Sequence, residues 1–582
     1  MHSDLADSMV LGPKYRMPGV VYPPAAQLKA YVEAGCLGQQ TLIEGFIQTH
    51  AQHAQRLALV GLEGCYTHGE LDDITNRVAA AFLDLGLQPL DRVVFQVGNC
   101  NELIFGWLGC LKAGLIPLCT LVSHREREIS YLARHAQAKL HFVHGDDPKF
   151  DHVAFAHRMQ QEVPTLEHIV VARGPARNGA LSLQAMYEQQ DPAAARARVK
   201  AIERDPFQVV LFHLSGGTTG VPKIIPRFGN EYLYMMRAIA AFNGYDEQDI
   251  FYCPTPFMHN LNMGTCSGPA LLMGGAMAVA PSLDTPVIKA MLKNFKPTRL
   301  VMGGPAFAKM APQLEKNRKV SKLFKTLPFL SKLFPVIEDK LIDFRQVRGV
   351  YAASSGRNIG RIMGVPTFHL FGMTEGVIMY TRSDDNPDVR VSAVGRPVSP
   401  MDRIKILKPG TEEELAVGEI GEPAFQGPYT TPGYFDAPDR NAEAFTSDGF
   451  YRSGDLMSCR MVDGKLYYYF EGRIKDVVDR GGEKINAGEV EEAVLTHPAV
   501  ESCAIIGTKD KTLGERMCAC LVIRDGFTAP TVQELGQYLQ GYGLAKFKWP
   551  ERIEVMSTLP TTHVGKLDKI KLRQVYDHPS SV

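Results

Sequence analysis

Short apolar runs, each ending on Gly, Asn, Ser or Asp, recur along the chain with longer mixed stretches between them. They read RVVFQVGN from Arg92, HFVHGD from His141, HIVVARG from His168 and FQVVLFHLSGG from Phe207. VRGVYAAS from Val347 and PTFHLFGMTEG from Pro366 have the same form. Runs too short for a helix and apolar on both faces predict buried strands of α/β units, with helices between them. Val209 to Leu214 is one such strand, and SGGTTG is the loop at its end. No internal repeat or low-complexity segment interrupts the pattern.

After about residue 400 the strands shorten and turns multiply: RIKILKPG, GEIGEPAFQG and KLYYYFEGR. A second boundary follows Arg473. Beyond it, DVVDRGGEKI predicts a hairpin, GEVEEAVLTHP a helix, SCAIIG and CACLVIR strands, and VQELGQYLQGYG a helix. The expected division is an N-terminal domain over 1–473 and a small C-terminal domain over 474–582, with a hinge at Gly472 to Asp476. The segment 315–341 combines lysines with Val320, Leu323, Phe324, Leu327 and Leu330 at helical spacing. Two readings of it stay open: a surface helix interrupted at Pro328 and Pro335, or a basic amphipathic helix for a membrane or partner.

At 582 residues the chain is long enough for two or more domains. Lys plus Arg and Asp plus Glu are 63 each, so no basic footprint points to nucleic acid. The eleven cysteines, Cys36 to Cys520, contain no Cys-x-x-Cys pair, which predicts reduced thiols rather than a zinc site or disulfide framework. The N-terminus lacks a signal-peptide pattern and no apolar run reaches about 18 residues, so the expected location is cytoplasmic, with no membrane span.

SGGTTGVPK has the vocabulary of a phosphate cradle without the spelling of a Walker A loop. That loop places its lysine directly after glycine, opening a helix, with Ser or Thr next to hold magnesium. Here Val221 and Pro222 separate Gly220 from Lys223, and proline keeps the residue before it out of the helical region. Backbone N–H groups beside Gly216, Gly217 and Gly220, with the hydroxyls of Ser215, Thr218 and Thr219, still suit phosphate. Glu375 in FGMTEG suits magnesium, which takes one or two carboxylates plus phosphate. Asp455 in YRSGDL suits a ribose diol. Arg473 and Lys475 lie at the domain cut, and Lys566 lies in LPTTHVGKLDK. Taken singly, Thr-Glu reads as a helix start and Ser-Gly-Asp as a turn. In this order over some 350 residues, they point together to one nucleotide site.

That combination resembles the adenylate-forming superfamily of acyl- and aryl-CoA synthetases, peptide-synthetase adenylation domains and luciferases, over nearly the whole chain. The stand-alone 2,3-dihydroxybenzoate- and salicylate-AMP ligases of siderophore pathways are the most similar branch. LSGGTTGVPKIIPR, FMHNLNMG, FGMTEGVIMYTRSDD, QGPYTTPGYF, GFYRSGDL, RGGEKINAGEVEE and LPTTHVGKLDK carry the likeness. It implies an α/β fold: two α/β subdomains plus a small β-barrel, followed by a small mobile α+β C-terminal domain. It implies ATP and Mg2+, with Glu375 on the metal, Lys566 as the catalytic lysine and Lys475 as the hinge. ATP contacts fall on Ser215 to Gly220, Lys223, Ser355, Gly356, Phe371, Gly372, Met373, Thr374, Asp455 and Arg473. The aromatic acid falls on His259, Asn260, Leu261, Thr265 and Gly304, with His259 gating and Asn260 meeting a 2-hydroxyl. Asn260 satisfying only local backbone is the plainer reading.

The chain departs from the pattern in places. Leu261 stands where the family has tyrosine, which predicts a wider pocket, and Cys266 where it has proline. AASSGRN replaces the Gly-Gly-Ala stretch, and Phe228-Gly229 replaces Thr-His. The expected reaction is adenylation of an aromatic acid, then transfer to the phosphopantetheine thiol of a carrier protein. INAGEVEE lacks the proline common in CoA ligases, and an aryl-CoA ligase is the alternative. A non-catalytic binding protein of the same fold is a remoter one, and a luciferase-like oxidase another.

Overall fold

Each of the apolar runs is a strand in the structure, a computed structural model that describes residues 11–215, 222–282, 284–301, 344–352, 356–480, 483–561 and 567–576, with Met310 and Leu314. The first half supplies β1 (Leu57–Gly61), β2 (Gly64–Thr67), β3 (Arg92–Gln96), β4 (Ile116–Leu118), β5 (Ala138–Val143), β6 (His168–Val171), β7 (Leu181–Ser182), β8 (Val209–Leu214) and β9 (Ile224–Phe228). Next come β10 (Ile250–Tyr252), β11 (Ala276–Val279), β12 (Arg299–Val301), β13 (Gly349–Ala352), β14 (Thr367–Met373), β15 (Gly376–Tyr380) and β16 (Arg396–Pro397). They form a seven-stranded sheet, order β7-β6-β5-β3-β4-β8-β9, and a nine-stranded sheet, order β16-β15-β14-β13-β12-β10-β11-β1-β2. The first is parallel except for β9, and the second has a parallel centre with antiparallel edges.

The helices that place the site are α1 (His68–Asp84), α2 (Asn101–Lys112), α3 (Gly229–Asn243), α4 (Asn260–Met263) and α5 (Gly356–Met363). In α2 every residue but Glu102 is buried, as expected of a helix apolar on all sides. One continuous core holds Trp107 of α2 together with Phe95 and Phe142 of one sheet and Phe251 and Tyr351 of the other. Trp107 meets Phe46 and Phe257 edge-on at 5.5 and 5.0 Å. Lys112 at the end of α2 is fully buried, and its Nζ donates to Asp72 Oδ1 at 2.6 Å and Asn76 Oδ1 at 2.8 Å on α1.

The chain forms two compact units, the first from Met1–Gly217, Val221–Arg403 and Gln426–Phe445, the second mainly from Ile404–Phe425 and Thr446–Val582. The second begins with β17 (Arg403–Leu407), β18 (Glu422–Gln426), β19 (Tyr451–Arg452), β20 (Asp455–Val462) and β21 (Lys465–Arg473). The resemblance implies that such strands close a small barrel. Among the described residues they instead form a three-stranded sheet and a separate hairpin, joined at the single bridge Gly421↔Met457. Closure needs a ladder on both sides of every strand, and β19 has two residues.

The predicted C-terminal hairpin is β22 (Val477–Arg480) with β23 (Glu483–Asn486), in register Val477↔Asn486. With β24 (Val500–Asp510), β25 (Gly514–Ile523) and β26 (Arg552–Val555) it makes a five-stranded sheet. Helices α6 (Ala487–Val494) and α7 (Val532–Tyr542) bury Val490, Val494, Leu535 and Leu539 in its core, and α8 (Lys569–Tyr576) follows. Among the described residues, no helix is long and apolar enough to cross a membrane. All eleven cysteines are free, and all but Cys65 are buried. The segment 315–341 lies outside the described residues.

Candidate active site

Strand β8 does not run into a helix; it turns back into β9 as an antiparallel hairpin, register Leu214↔Ile224. Two bonds close the base of the loop: Ser215 N–H to Lys223 O at 2.9 Å and Lys223 N–H to Ser215 Oγ at 3.0 Å. The late lysine is thereby explained, because Lys223 enters a strand whereas a Walker lysine opens a helix. Gly216, Gly217, Thr218, Thr219 and Gly220 lie outside the described residues.

Glu375 sits in the tight turn between β14 and β15 and is buried. Gly376 makes the turn possible. Its φ is +133°, and a Cβ there would stand 2.5 Å from the Cα of Thr430. Thr431 N–H donates to the Glu375 carbonyl at 2.6 Å, and Tyr434 O–H to Glu375 Oε1 at 2.9 Å. The Lys223 ammonium lies 4.4 Å from the centre of the Tyr434 ring, a cation–π contact. Arg227 of β9, fully buried, pairs with Glu231 and donates to the carbonyls of Thr374 at 2.9 Å and Tyr429 at 3.0 Å. One guanidinium thus ties β9, α3, the Glu375 turn and the Tyr429 segment together. Among the described residues Glu375 Oε2 has no hydrogen-bond partner, so the residue fits a one-carboxylate magnesium site completed by phosphate and water.

The remaining nucleotide candidates of this unit line the same strand. Phe371 and Gly372 pair with Met379 and Ile378, and a Cβ at Gly372 would lie 2.6 Å from Ile378 Cδ1. Met373 ends β14 and Thr374 is buried in the turn. Gly356 opens α5, whereas Ser355 lies outside the described residues.

His259 caps α4, its Nδ1 accepting from Leu261 N–H at 3.2 Å. Asn260, the first residue of α4, is buried, and its Oδ1 accepts from Tyr232 O–H at 2.7 Å. Tyr232 in turn meets His213 Nε2 at 2.8 Å. Burial, with the charge of Arg227, pushes the His213 pKa well below that of free imidazole. Leu261 packs partly buried against the main core. Thr265 Oγ1 donates to Leu261 O at 2.6 Å, and Thr265 O accepts from Tyr380 O–H at 2.9 Å. The Thr265 hydroxyl serves the helix. Gly304 lies outside the described residues.

In the second unit, Asp455 and Arg473 are cross-strand partners on β20 and β21, with Nε to Oδ1 3.4 Å. Asp455 is buried and the Arg473 side chain about half exposed. Lys475 lies in the 3-10 turn Ile474–Asp476 that follows, and its carbonyl accepts from Arg573 of α8 at 3.0 Å. Asp476 pairs with the same arginine at 3.2 Å. Lys566 lies outside the described residues.

Sequence reading missed Arg227, Tyr434, Tyr232 and His213. Arg227 and Tyr434 sit inside the quoted motifs LSGGTTGVPKIIPR and QGPYTTPGYF, and a charged residue in a strand was the available signal for the first. Tyr232 and His213 carry no local signal, because their partners come from three different elements.

The model of the AMP-binding enzyme family matches residues 46–435, and that of the AMP-binding enzyme C-terminal domain matches 489–566. A 2,3-dihydroxybenzoate-AMP ligase of Bacillus subtilis (strain 168) is 32% identical over 557 residues, 95% of this chain and 96% of its own length. A salicylyl-CoA synthase / salicylate adenylyltransferase of Streptomyces sp is 33% identical over 563 residues, 96% of this chain and 97% of its own. The solved apo structure of Mycobacterium smegmatis MbtA superposes with a TM-score of 0.69 at 29% identity, over 96% of this chain and 98% of that one. Matches along nearly the whole length, on a chain with a strand-to-strand link after β8 and a buried carboxylate turn, show that the chain belongs to the AMP-binding enzyme family.

Proposed function

We propose that the chain is an ATP-dependent ligase that activates an aromatic carboxylic acid as its aryl-adenylate and passes the aryl group to a thiol. In the first step a carboxylate oxygen bonds to the α-phosphorus of ATP, the bond to the bridging oxygen breaks, and pyrophosphate leaves. In the second a thiolate sulfur attacks the acyl carbon, the carbon–oxygen bond to AMP breaks, and AMP leaves with that oxygen. The thiol proton passes to water. Both reactants of the first step are anions, so cationic groups must offset their repulsion. Lys566 supplies one such charge. Glu375 would hold magnesium, which would neutralise phosphate charge. Lys223 and the loop it closes hold the departing phosphates, and Asp455 takes the ribose diol. The observation that carries the reading is the Glu375 turn: a buried carboxylate with one oxygen fixed by Tyr434 and no partner on the other among the described residues.

His259 and Asn260 support an aromatic acid with a polar ortho group, a 2-hydroxy acid first. The aryl-AMP ligase and salicylate-activating relatives act on acids of that class by their names. We take 474–582 as the mobile body, hinged at Lys475 and exchanging Lys566 for the RGGEK hairpin between the two steps. The phosphopantetheine of a carrier protein is the favoured acceptor. Free coenzyme A is the second reading, supported by the printed name of the Streptomyces relative. ATP–pyrophosphate exchange over salicylate, 2,3-dihydroxybenzoate, anthranilate, benzoate and hydroxynaphthoates tests the first step. Exchange should appear with the 2-hydroxy acids and drop about 10²–10³-fold in Lys566→Ala; an unchanged rate would remove the role given to Lys566. Thioester detection with coenzyme A against a carrier protein decides the acceptor, and rapid saturable acyl-CoA formation would sink the carrier reading.

A further inference from the structure

The run HFVHGD closes β5, and the loop after it brings three groups of metal-ligand type together within one short stretch: His144, Asp147 and His152. One ring nitrogen of each histidine and one Asp147 oxygen all lie within 4.8 Å of one another. His152 Nε2 stands 3.2 Å from Asp147 Oδ2. Two donors on one tetrahedral zinc, with bonds of about 2.0–2.1 Å, are separated by roughly 3.3 Å. The two imidazoles lie 5.0 Å apart, centre to centre.

Neither ring is satisfied by the protein alone. His144 Nε2 and His152 Nδ1 are buried and, among the described residues, have no hydrogen-bond partner, an uncommon condition that calls for a cause. On the other side of the His144 ring, Nδ1 faces Asp146 Oδ1 at 3.8 Å. A carboxylate behind one nitrogen is the usual support of an imidazole that ligates through the other. The loop itself is held in place. Gly145 N–H donates to Arg173 O at 2.8 Å, and a Cβ on Gly145 would stand 2.7 Å from Pro175 O. Lys149 N–H donates to Asp147 Oδ1 at 2.8 Å, and Phe150 meets the His152 ring edge-on at 4.7 Å. Arg173 is taken up by Asp146 at 2.6 Å and Glu63 at 2.5 Å, and Arg125 stacks on Phe150. Among the described residues no Lys or Arg pairs with Asp147.

We propose that the imidazoles of His144 and His152 and the carboxylate of Asp147 hold one dication of the zinc class, which clips the end of β5 to the helix His152–Glu162. Two imidazoles with one carboxylate suit such an ion, whereas magnesium and calcium take oxygen ligands. The site is therefore distinct from the magnesium proposed at Glu375. Strands β5, β3, β4 and β8 are parallel neighbours, so His144 leaves the same sheet edge as the loop after β8, three strands or roughly 14 Å away. Three protein ligands leave a position for water, and the Asp147 side chain is partly exposed, which gives the ion a way in. Binding adds to the stability of the folded state, because the unfolded chain does not hold the three groups together.

The test uses the full-length protein, stripped with a chelator and titrated with Zn2+ against a chromophoric competitor, with Mg2+ in excess throughout. Wild type should take up one equivalent, and its melting temperature should rise by a few degrees. His144→Gln and Asp147→Asn should each weaken the uptake by about 100-fold or more. No uptake by wild type, or wild-type affinity in both variants, overturns the proposal. Should the variants fail to fold, X-ray absorption at the zinc edge of the wild-type complex still decides. Two imidazoles and no sulfur are expected there, and sulfur in the coordination shell would place the ion on cysteines instead and overturn the proposal.

Discussion

Glu375 and Arg227 show how differently two charged residues can declare themselves. Glu375 follows a strand-like run in a Thr-Glu-Gly turn, and its chemistry is legible from the residues around it. Arg227 is not legible in that way, because its worth lies in carbonyls at positions 374 and 429 that folding brings to it. Glu375→Gln keeps the Tyr434 bond but removes the charge a magnesium ion needs. The expected outcome is a fall of about 10²–10³-fold in pyrophosphate exchange, with a raised requirement for added magnesium and an unchanged unfolding midpoint. Asn260 is legible as a candidate by its place after His259. Its hydrogen-bond partner is not, since Tyr232 lies on α3.

Among the elements, the strands and helices beyond residue 473 are legible because hydrophobic period and turn residues are local signals. The implied barrel is not formed by the described residues, since closure depends on strand pairing that no local run encodes. The Glu375 turn is an element whose shape hangs on one glycine. Gly376→Ala places a methyl group against the backbone of Thr430 at positive φ, and should cost about 1–3 kcal/mol, measured by urea denaturation, together with most exchange activity. The proposed hinge gives a different signature. Arg573 holds both the Lys475 carbonyl and Asp476. Arg573→Ala should leave the adenylation half-reaction within about twofold while slowing thioester formation by roughly 10- to 100-fold. Single-turnover assays of the two steps would separate them, and equal slowing of both would count against a hinge at Lys475.

For the molecule taken entire, the buried polar groups set how stability answers to pH. Asp402 has Oδ1 buried without a partner, and Tyr429 O–H donates to its Oδ2. Burial outweighs that bond and pushes its pKa from 3.8 up to about 7. Between those values the folded protein keeps a proton that the unfolded chain has lost, so stability falls as pH rises through that window and levels above it. At roughly 1.4 kcal/mol per pK unit the effect amounts to a few kcal/mol. Asp402→Asn should flatten this slope, so that the melting temperature of the variant exceeds that of wild type at pH 8 by more than at pH 5. An identical pH dependence in both proteins would refute the assignment.

The amino-acid order alone dictates most of the strands and helices, the α/β class, the succession of the chemical motifs and the residue types proposed for phosphate, magnesium and ribose. These follow from patterns a few residues long, where side-chain period and backbone preference act locally. Folding in three dimensions was needed to show that the loop after β8 links two antiparallel strands. It was needed equally for Tyr434 and Arg227 to hold the Glu375 turn, and for His213, Tyr232 and Asn260 to join in one hydrogen-bonded chain. Those contacts join residues 19 to more than 200 positions apart. Such pairings exist only once the two sheets have packed around α2, because burial is what makes each hydrogen bond obligatory and each charge in need of a partner.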